Sequence, residues 1–129
     1  TKDTLGIRAF FDDLRGFYTD GRFQDAKIQV VLDEPFEDFE IQVNKGKLTQ
    51  VVDNLFLNSE YWLKEYARRG ELDSPTIFVK SHKPFVQISD NGLGIDSSIE
   101  DALFQPFVTT KPKSIGRGSN QSIRLGQPR

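Results

Sequence analysis

The chain has 129 residues, of which 36% are hydrophobic and 28% charged, as in a globular domain large enough to bury a core. Its 17 Lys and Arg against 19 Asp and Glu leave a net charge of −2, which indicates no general attraction to nucleic acid or to an anionic membrane. The absence of Cys excludes disulfides and zinc–thiolate sites and fits a cytoplasmic location, and a single His excludes a cluster of His metal ligands.

The first third of the chain predicts one helix and two strands. From Thr4, apolar residues recur at the spacing of an amphipathic helix, at Ile7, Phe10, Phe11, Leu14 and Phe17 or Tyr18. Beyond a turn at Asp20-Gly21, alternation predicts two half-buried strands, one at Ile28, Val30 and Leu32 and one at Phe39, Ile41 and Val43. We expect these two strands to pair as an antiparallel hairpin.

The middle of the chain predicts a long helix and two further strands. The helix runs from about Lys45 to Arg69 and is closed by Gly70. Strands at Thr76–Lys80 and Phe85–Ser89 follow, joined by a loop in which His82 is interpreted as a turn residue. Hairpins interleaved with helices favour an α+β fold, a two-layer sandwich in which helices pack on one face of a mixed, mainly antiparallel sheet.

Two asparagines on the long helix are candidates for a polar site. An apolar stripe is expected to face the sheet, made of Leu48, Val51, Val52, Leu55, Ser59 and Trp62. Asn54 and Asn58 are four residues apart and lie one above the other on its shoulder. They could simply face solvent at the rim of the packed surface. Alternatively, their neutral amide oxygens suit Mg²⁺ that already carries phosphates.

The stretch SDNGLGID, residues 89–96, raises a similar choice. Asp-Asn-Gly is ordinary turn chemistry after a strand. It also places an acid, Asp90, at a strand end, followed by Gly92 and Gly94, where little side chain obstructs a ligand.

The stretch FQPFVTTKPKSIGRG, residues 104–118, is rich in Lys, Gly and Ser after Thr110. From Lys111 to the end of the chain there are five cations and no acid. This composition is typical of a solvated flexible tail, or of a cationic lid that closes over phosphates.

Together and in this order, the three segments resemble the catalytic ATP-binding domain of sensor histidine kinases. That domain belongs to a superfamily shared with DNA gyrase, mismatch-repair ATPases and the large heat-shock chaperone. The resemblance runs from about Leu5 to Gly118: the asparagine helix is similar to the N box, Asp90-x-Gly92-x-Gly94 to the first glycine box, and Phe104-x-Pro106-Phe107 to the phenylalanine box.

The resemblance implies ATP and Mg²⁺ as cofactors and gives each residue a role. It implies that Asp90 accepts the adenine amine, that Gly92 and Gly94 let the backbone approach the purine, and that Ile95 forms an apolar wall. Asn58 matches the Mg²⁺ ligand, and Trp62 a position that is often aromatic. Thr110 and Lys111 open the segment expected at the phosphates.

Asn54 separates the relatives by chemistry. ATP-hydrolysing members of the superfamily carry Glu at this catalytic position, where it activates water, whereas the acid here is the neighbouring Asp53. Phosphotransfer to a histidine on a separate dimerisation domain is therefore favoured, with a response regulator downstream. An ATPase clamp or chaperone module, or a nucleotide-binding interaction domain without turnover, stays open as an alternative.

The last residues depart from the family pattern. Gly116-Arg117-Gly118 is not followed by the expected Gly-Leu-Gly-Leu helix, so we assign residues 1–118 to the ATP-binding domain and 119–129 to an atypical, flexible tail. Since the chain does not begin with Met, we expect it to be a piece of a longer protein. Without the helix after Gly118, which would supply N–H groups to the phosphates, we expect ATP binding by this piece alone to be impaired. Missing strands would leave a sheet edge open to homo-oligomers.

Overall fold

The computed structural model describes residues 2–98, 111–117 and 120–125, with the side chains of 93–98, 111–117 and 120–124 outside the description. Within these residues the order of elements is β1 (Asp3–Gly6), α1 (Ile7–Thr19), β2 (Gln29–Leu32), β3 (Glu40–Val43), α2 (Lys45–Arg68), β4 (Thr76–His82), β5 (Phe85–Asp90), β6 (Leu93–Ser98), β7 (Lys111–Arg117) and β8 (Asn120–Arg124).

The principal sheet has four strands in the order β2-β4-β5-β8. Strands β2 and β4 are parallel, and the other two pairs are antiparallel. Two smaller antiparallel pairs, β1-β3 and β6-β7, complete the described strands. The expected α+β fold with a mixed, mainly antiparallel sheet is therefore confirmed.

The predicted hairpin between β2 and β3 is wrong. Strand β2 pairs with β4, whereas β3 pairs with β1, so the two do not share a sheet. Two phenylalanines in the connection, Phe36 and Phe39, are buried in the core, and the Phe39 carbonyl accepts the Ile7 N–H at 2.9 Å. Burial of these rings draws the chain away from β2 before β3 begins, an effect that strand alternation does not encode.

The first helix also begins later than the sequence predicts. Asp3–Gly6 forms β1 against β3, with Leu5 opposite Ile41, and α1 starts at Ile7. The buried face is otherwise as expected up to Leu14, and Tyr18 is buried in preference to Phe17, which is 71% exposed.

Helix α2 closely follows the prediction. The Asn44 side chain accepts the Lys47 N–H at 3.0 Å and caps its start, and Gly70 adopts a positive φ of 77° beyond its end. The buried stripe is Leu48, Val51, Val52, Leu55, Phe56, Ser59, Glu60 and Leu63. Trp62, expected on this stripe, is only partly buried, because Phe56 and Leu63 occupy the centre of the face. Neither helix of the described residues is long and apolar enough to cross a bilayer.

The sequence predicts a flexible tail over 119–129, of which the structure describes residues 120–125. Asn120–Arg124 forms β8, antiparallel to β5, and Leu125 is buried with its N–H bonded to the Pro84 carbonyl at 2.5 Å. Strand β8 thus covers the edge of β5 that faces away from β4. The segment Lys111–Arg117, for which a flexible tail and a cationic lid are the alternatives from sequence, forms β7 against β6.

Candidate functional site

Asp90 ends β5 in a geometry that the local sequence sets. Its carboxylate Oδ1 accepts the Gly92 N–H at 2.9 Å, the Asx-turn bond that Asp makes two residues on. Asn91 fixes the same turn to the start of β4, since its Oδ1 accepts the Thr76 N–H at 3.0 Å and its Nδ2 donates to the Ser74 carbonyl at 2.8 Å. Asp90 itself is only 8% exposed. The turn therefore holds a carboxylate at a fixed place beneath the surface.

Gly92 lies where the turn meets α2. A Cβ added at this glycine would lie 3.2 Å from Leu63 Cδ2, 3.3 Å from Asp90 Oδ1 and 3.7 Å from Tyr66 Cδ2. The backbone thus approaches the helix closely enough that even a methyl group would press on both the helix and the carboxylate. Helix α2 and the Asp90 turn form one packed unit, which the sequence alone did not reveal.

The two asparagines lie on the outer side of α2. Asn54 and Asn58 are both exposed, and Trp62 follows one turn later as a partly buried ring. Since four residues advance the direction by about 40° around the helix, the column Asn58, Trp62, Tyr66 winds from the solvent side towards Gly92. Along α2, this column therefore runs from Asn58, the predicted Mg²⁺ ligand, towards the turn that carries Asp90, the residue predicted to bind adenine.

Asp53, the acidic residue that precedes Asn54, is held by a hydrogen bond that the sequence did not predict. The buried Tyr18 hydroxyl donates to Asp53 Oδ1 at 2.5 Å. Burial, and then the bond to Asp53, raise the pKa of Tyr18. Asp53 is consequently turned towards α1, about 100° around α2 from Asn54.

A second connection to α2, also missed, involves a nearly buried carboxylate. Glu60 Oε1 accepts a hydrogen bond from Arg22 Nε at 2.7 Å, and Glu60 Oε2 lies 3.0 Å from Lys64 Nζ. The side chains of both cations are about half exposed. The bond to Glu60 raises the pKa of Arg22. The pair of Glu60 and Lys64 could have been predicted from their spacing of four residues on one helix. The contact with Arg22 could not, because Arg22 is 38 residues away in sequence.

No family model matches the chain. Among curated proteins it is 32% identical over 85 residues to the signal transduction histidine-protein kinase AtoS of Escherichia coli K12, covering 66% of this chain and 14% of AtoS. It is 33% identical to the sensor protein ChvG of Agrobacterium fabrum and 34% to the sensor histidine kinase ZraS of E. coli K12, in each case over 61% of this chain and 13% or 16% of the relative.

Among solved structures, the fold is similar to the catalytic domain of histidine kinase ThkA, with a TM-score of 0.53 and 15% identity over 74% of this chain and 62% of that one. The chain is similar in sequence to sensor histidine kinases and has the fold of the ThkA catalytic domain. It spans only about a seventh of the length of the curated proteins it matches.

Some expected parts of the histidine kinase catalytic domain fall outside the described residues. Thr110 is among these, and Lys111, Gly94 and Ile95 are placed only as backbone positions in β7 and β6. In the described part of the chain, no three His, Cys, Asp or Glu side chains gather to hold a metal ion.

A cleft of about 400 Å³ lies elsewhere, lined by Asp33, Glu34, Pro35, Lys80, Ser81 and His82. It adjoins the far end of β4, whereas Asp90 is opposite Ile77 near the start of that strand. His82, 93% exposed at the turn into β5, has its Nδ1 3.6 Å from Glu37 Oε1. The cleft is therefore separate from the Asp90 site.

Proposed function

We propose that this chain is the ATP-binding catalytic domain of a sensor histidine kinase, acting in the cytoplasm. It would bind Mg-ATP for phosphoryl transfer to a histidine on a separate dimerisation domain, with a response regulator as the next acceptor. The observation that carries the proposal is the carboxylate of Asp90, held beneath the surface at a strand end beside α2. The similarity in sequence to the histidine kinases AtoS and ZraS and in fold to the catalytic domain of histidine kinase ThkA supports the choice of a kinase.

The chemistry of Asp90 favours adenine over guanine. A carboxylate has acceptor positions for more than one donor, so the bond to the Gly92 N–H is compatible with a further bond from the exocyclic amine of adenine. Guanine presents a carbonyl at that place, which would set acceptor against acceptor in a desolvated site.

Asn58 is the proposed protein ligand for Mg²⁺. The fit rests on its exposed amide, one turn after Asn54 on the outer side of α2, and on the preference of Mg²⁺ for few protein ligands beside substrate phosphates. When bound, the ion would neutralise charge on the phosphates during transfer. Thr110 and Lys111 remain proposed phosphate contacts.

Asn54 supports phosphotransfer rather than hydrolysis. We propose that this amide occupies the catalytic position without acting as a base for water, since it cannot accept a proton near neutral pH. The neighbouring acid, Asp53, is engaged by Tyr18 on another side of the helix. Asn54→Glu is therefore expected to raise ATP hydrolysis little, whereas a large rise would favour the clamp-type alternative.

Calorimetry with ATP, with and without Mg²⁺, tests the proposal directly. Asp90→Asn keeps an acceptor for the Gly92 N–H but allows an N–H₂ group to face the adenine amine. Losing a charge-assisted hydrogen bond worth about 1.5–3 kcal/mol should weaken ATP binding roughly 12- to 150-fold.

The control for this experiment is Asp25→Asn, the same change at an exposed residue. It should bind ATP as the parent does, and both variants should keep the parent's unfolding midpoint. Absence of ATP binding by the parent, or equal affinity of the Asp90 variant, would contradict the proposal.

A further inference from the structure

Tyr66 is fixed near the end of α2 by its neighbours on the helix. Its ring stacks on Trp62, with centroids 6.0 Å apart and planes at 28°. On the other side, the guanidinium carbon of Arg69 lies 5.5 Å from the ring centroid, and Arg69 Nε is held by Glu65 Oε2 at 3.0 Å. Two aromatic rings and a cation thus form one ordered row along the helix.

This row reaches the turn that carries Asp90. The edge of the Tyr66 ring, at Cδ2, lies 3.7 Å from the point where a Gly92 Cβ would stand, and Gly92 is bonded to Asp90 Oδ1. The other helix residue at this contact, Leu63, is completely buried. Tyr66 is only partly buried, so Leu63 supplies the buried packing at this contact while part of the tyrosine stays accessible.

We propose that Tyr66 is a further binding residue of the nucleotide site, lining its base end beside Gly92. Trp62 and Tyr66 then form a continuous row of aromatic ring edges along α2 between Asn58 and Asp90, and the face of the purine packs against these edges. The inference rests on the proposed function. It adds an apolar contact to the hydrogen bond that Asp90 is proposed to accept from the base, as ligand sites combine a largely apolar and aromatic lining with few polar groups.

Chemical nitration of the unmodified protein tests this placement. The chain has three tyrosines: Tyr18 is buried, Tyr61 is 63% exposed, and Tyr66 is partly buried, so the exposed Tyr61 on the same helix is an internal control. With Mg²⁺-free ADP at ten times its measured Kd, only about a tenth of the protein is free of ADP. Nitration of Tyr66 should therefore be about tenfold slower than without ADP. Nitration of Tyr61 should not change.

Variants give an independent readout. Tyr66→Leu removes one aromatic contact. It should weaken the binding of adenosine and the binding of ADP by the same factor, roughly two- to twelve-fold, because the contact is to the base and not to the phosphates. Tyr66→Phe keeps the ring and should bind as the parent does. Phe17→Leu, at an exposed aromatic on α1, should also leave affinity unchanged.

The outcomes separate this inference from the function on which it rests. Trp62 is the single tryptophan, so its fluorescence reports binding beside Tyr66. If the parent protein shows no heat and no fluorescence change with ADP, the proposed function fails. If it binds ADP but Tyr66 is not protected, or is protected no more than Tyr61, the inference alone is overturned. If the Tyr66→Leu variant does not fold, the nitration of the parent protein still tests whether Tyr66 lines the nucleotide site.

Discussion

The hydroxyl of Tyr18 donates to Asp53 Oδ1 at 2.5 Å and so joins the last turn of α1 to the helix that carries Asn54 and Asn58. The Tyr18 ring also packs on Phe23 and Phe56, with centroids 4.7 and 5.0 Å away. The position of α2 therefore depends on one polar bond set within an aromatic cluster.

Tyr18→Phe should lower the free energy of unfolding by about 1–3 kcal/mol, because it removes a hydrogen bond to a charged acceptor and leaves the packing in place. Urea titration measures the change. Tyr61→Phe is the matched control, since that hydroxyl is on an exposed side chain, and it should have little effect. Equal stability of the two variants would mean that the bond contributes nothing net.

The pH dependence of the same pair has a definite sign. The folded-state pKa of Tyr18 is raised above its ordinary value of 10.0 by burial and by Asp53. Above pH 10 the unfolded chain therefore loses this proton while the folded protein keeps it, so the contribution is complete below pH 10 and is lost as the pH rises further. The stability difference between the parent and Tyr18→Phe should shrink from pH 10 upward, and a difference that grows would contradict the assignment.

The ion pair between Arg22 and the buried Glu60 is expected to stabilise the fold to an extent that depends on salt concentration. Arg22→Met should lower the unfolding temperature, because it removes a cation from a carboxylate whose side chain is only 5% exposed. The loss should be smaller in 1 M than in 0.1 M NaCl, because the range of electrostatic interactions is about threefold shorter at the higher salt concentration. Arg15→Met, which breaks the exposed pair with Asp12, is the control and should change little.

Gly92→Ala should weaken ADP binding and lower stability by about 1–3 kcal/mol, because the new methyl group presses on Leu63 and on Asp90 Oδ1. Gly16→Ala is the matched control. Nothing lies within 4 Å of its added Cβ inside α1, so it should stabilise the protein by roughly 0.5–1 kcal/mol without changing affinity. Normal ADP binding by the Gly92→Ala variant would mean that the turn tolerates displacement.

Asn58→Ala should weaken ATP binding more in the presence of Mg²⁺ than in its absence, because the amide is proposed to contact the ion rather than the nucleotide. Paired calorimetric titrations with and without the metal give both losses. Asn91→Ala is not a suitable control, since that amide holds the turn to β4; the exposed Gln24→Ala serves instead. Equal losses with and without Mg²⁺ would exclude Asn58 as the ligand.

Local patterns predicted the local parts of this protein. The period of α2, the alternation of β2 and β3, and the turn at Asp90 are all encoded within a few neighbouring residues, and each lies where the sequence placed it. Strand pairing failed because it depends on distant partners: burial of Phe36 and Phe39 separates β2 from β3.

The same limit applies to the site. The turn at Asp90 could be predicted from its local sequence. The approach of Tyr66 to Gly92 joins α2 to the end of β5, and no residue near either one in sequence indicates it. The bond between Tyr18 and Asp53 spans 35 residues and was likewise invisible. Residues 119–129 lack helical periodicity, yet Asn120–Arg124 finds a partner in β5 that only the assembled sheet provides.

Strand β8 has a consequence for the motion of the site. Because β5 is bonded to β4 on one side and to β8 on the other, its backbone amides between Phe85 and Ser89 belong to the interior of the sheet. Their hydrogen exchange with solvent requires a neighbouring strand to detach, so it should rank among the slowest in the domain. Asp90 therefore lies at the end of a strand that is expected to exchange slowly, and we expect adjustment to the proposed base to come from the turn and from α2.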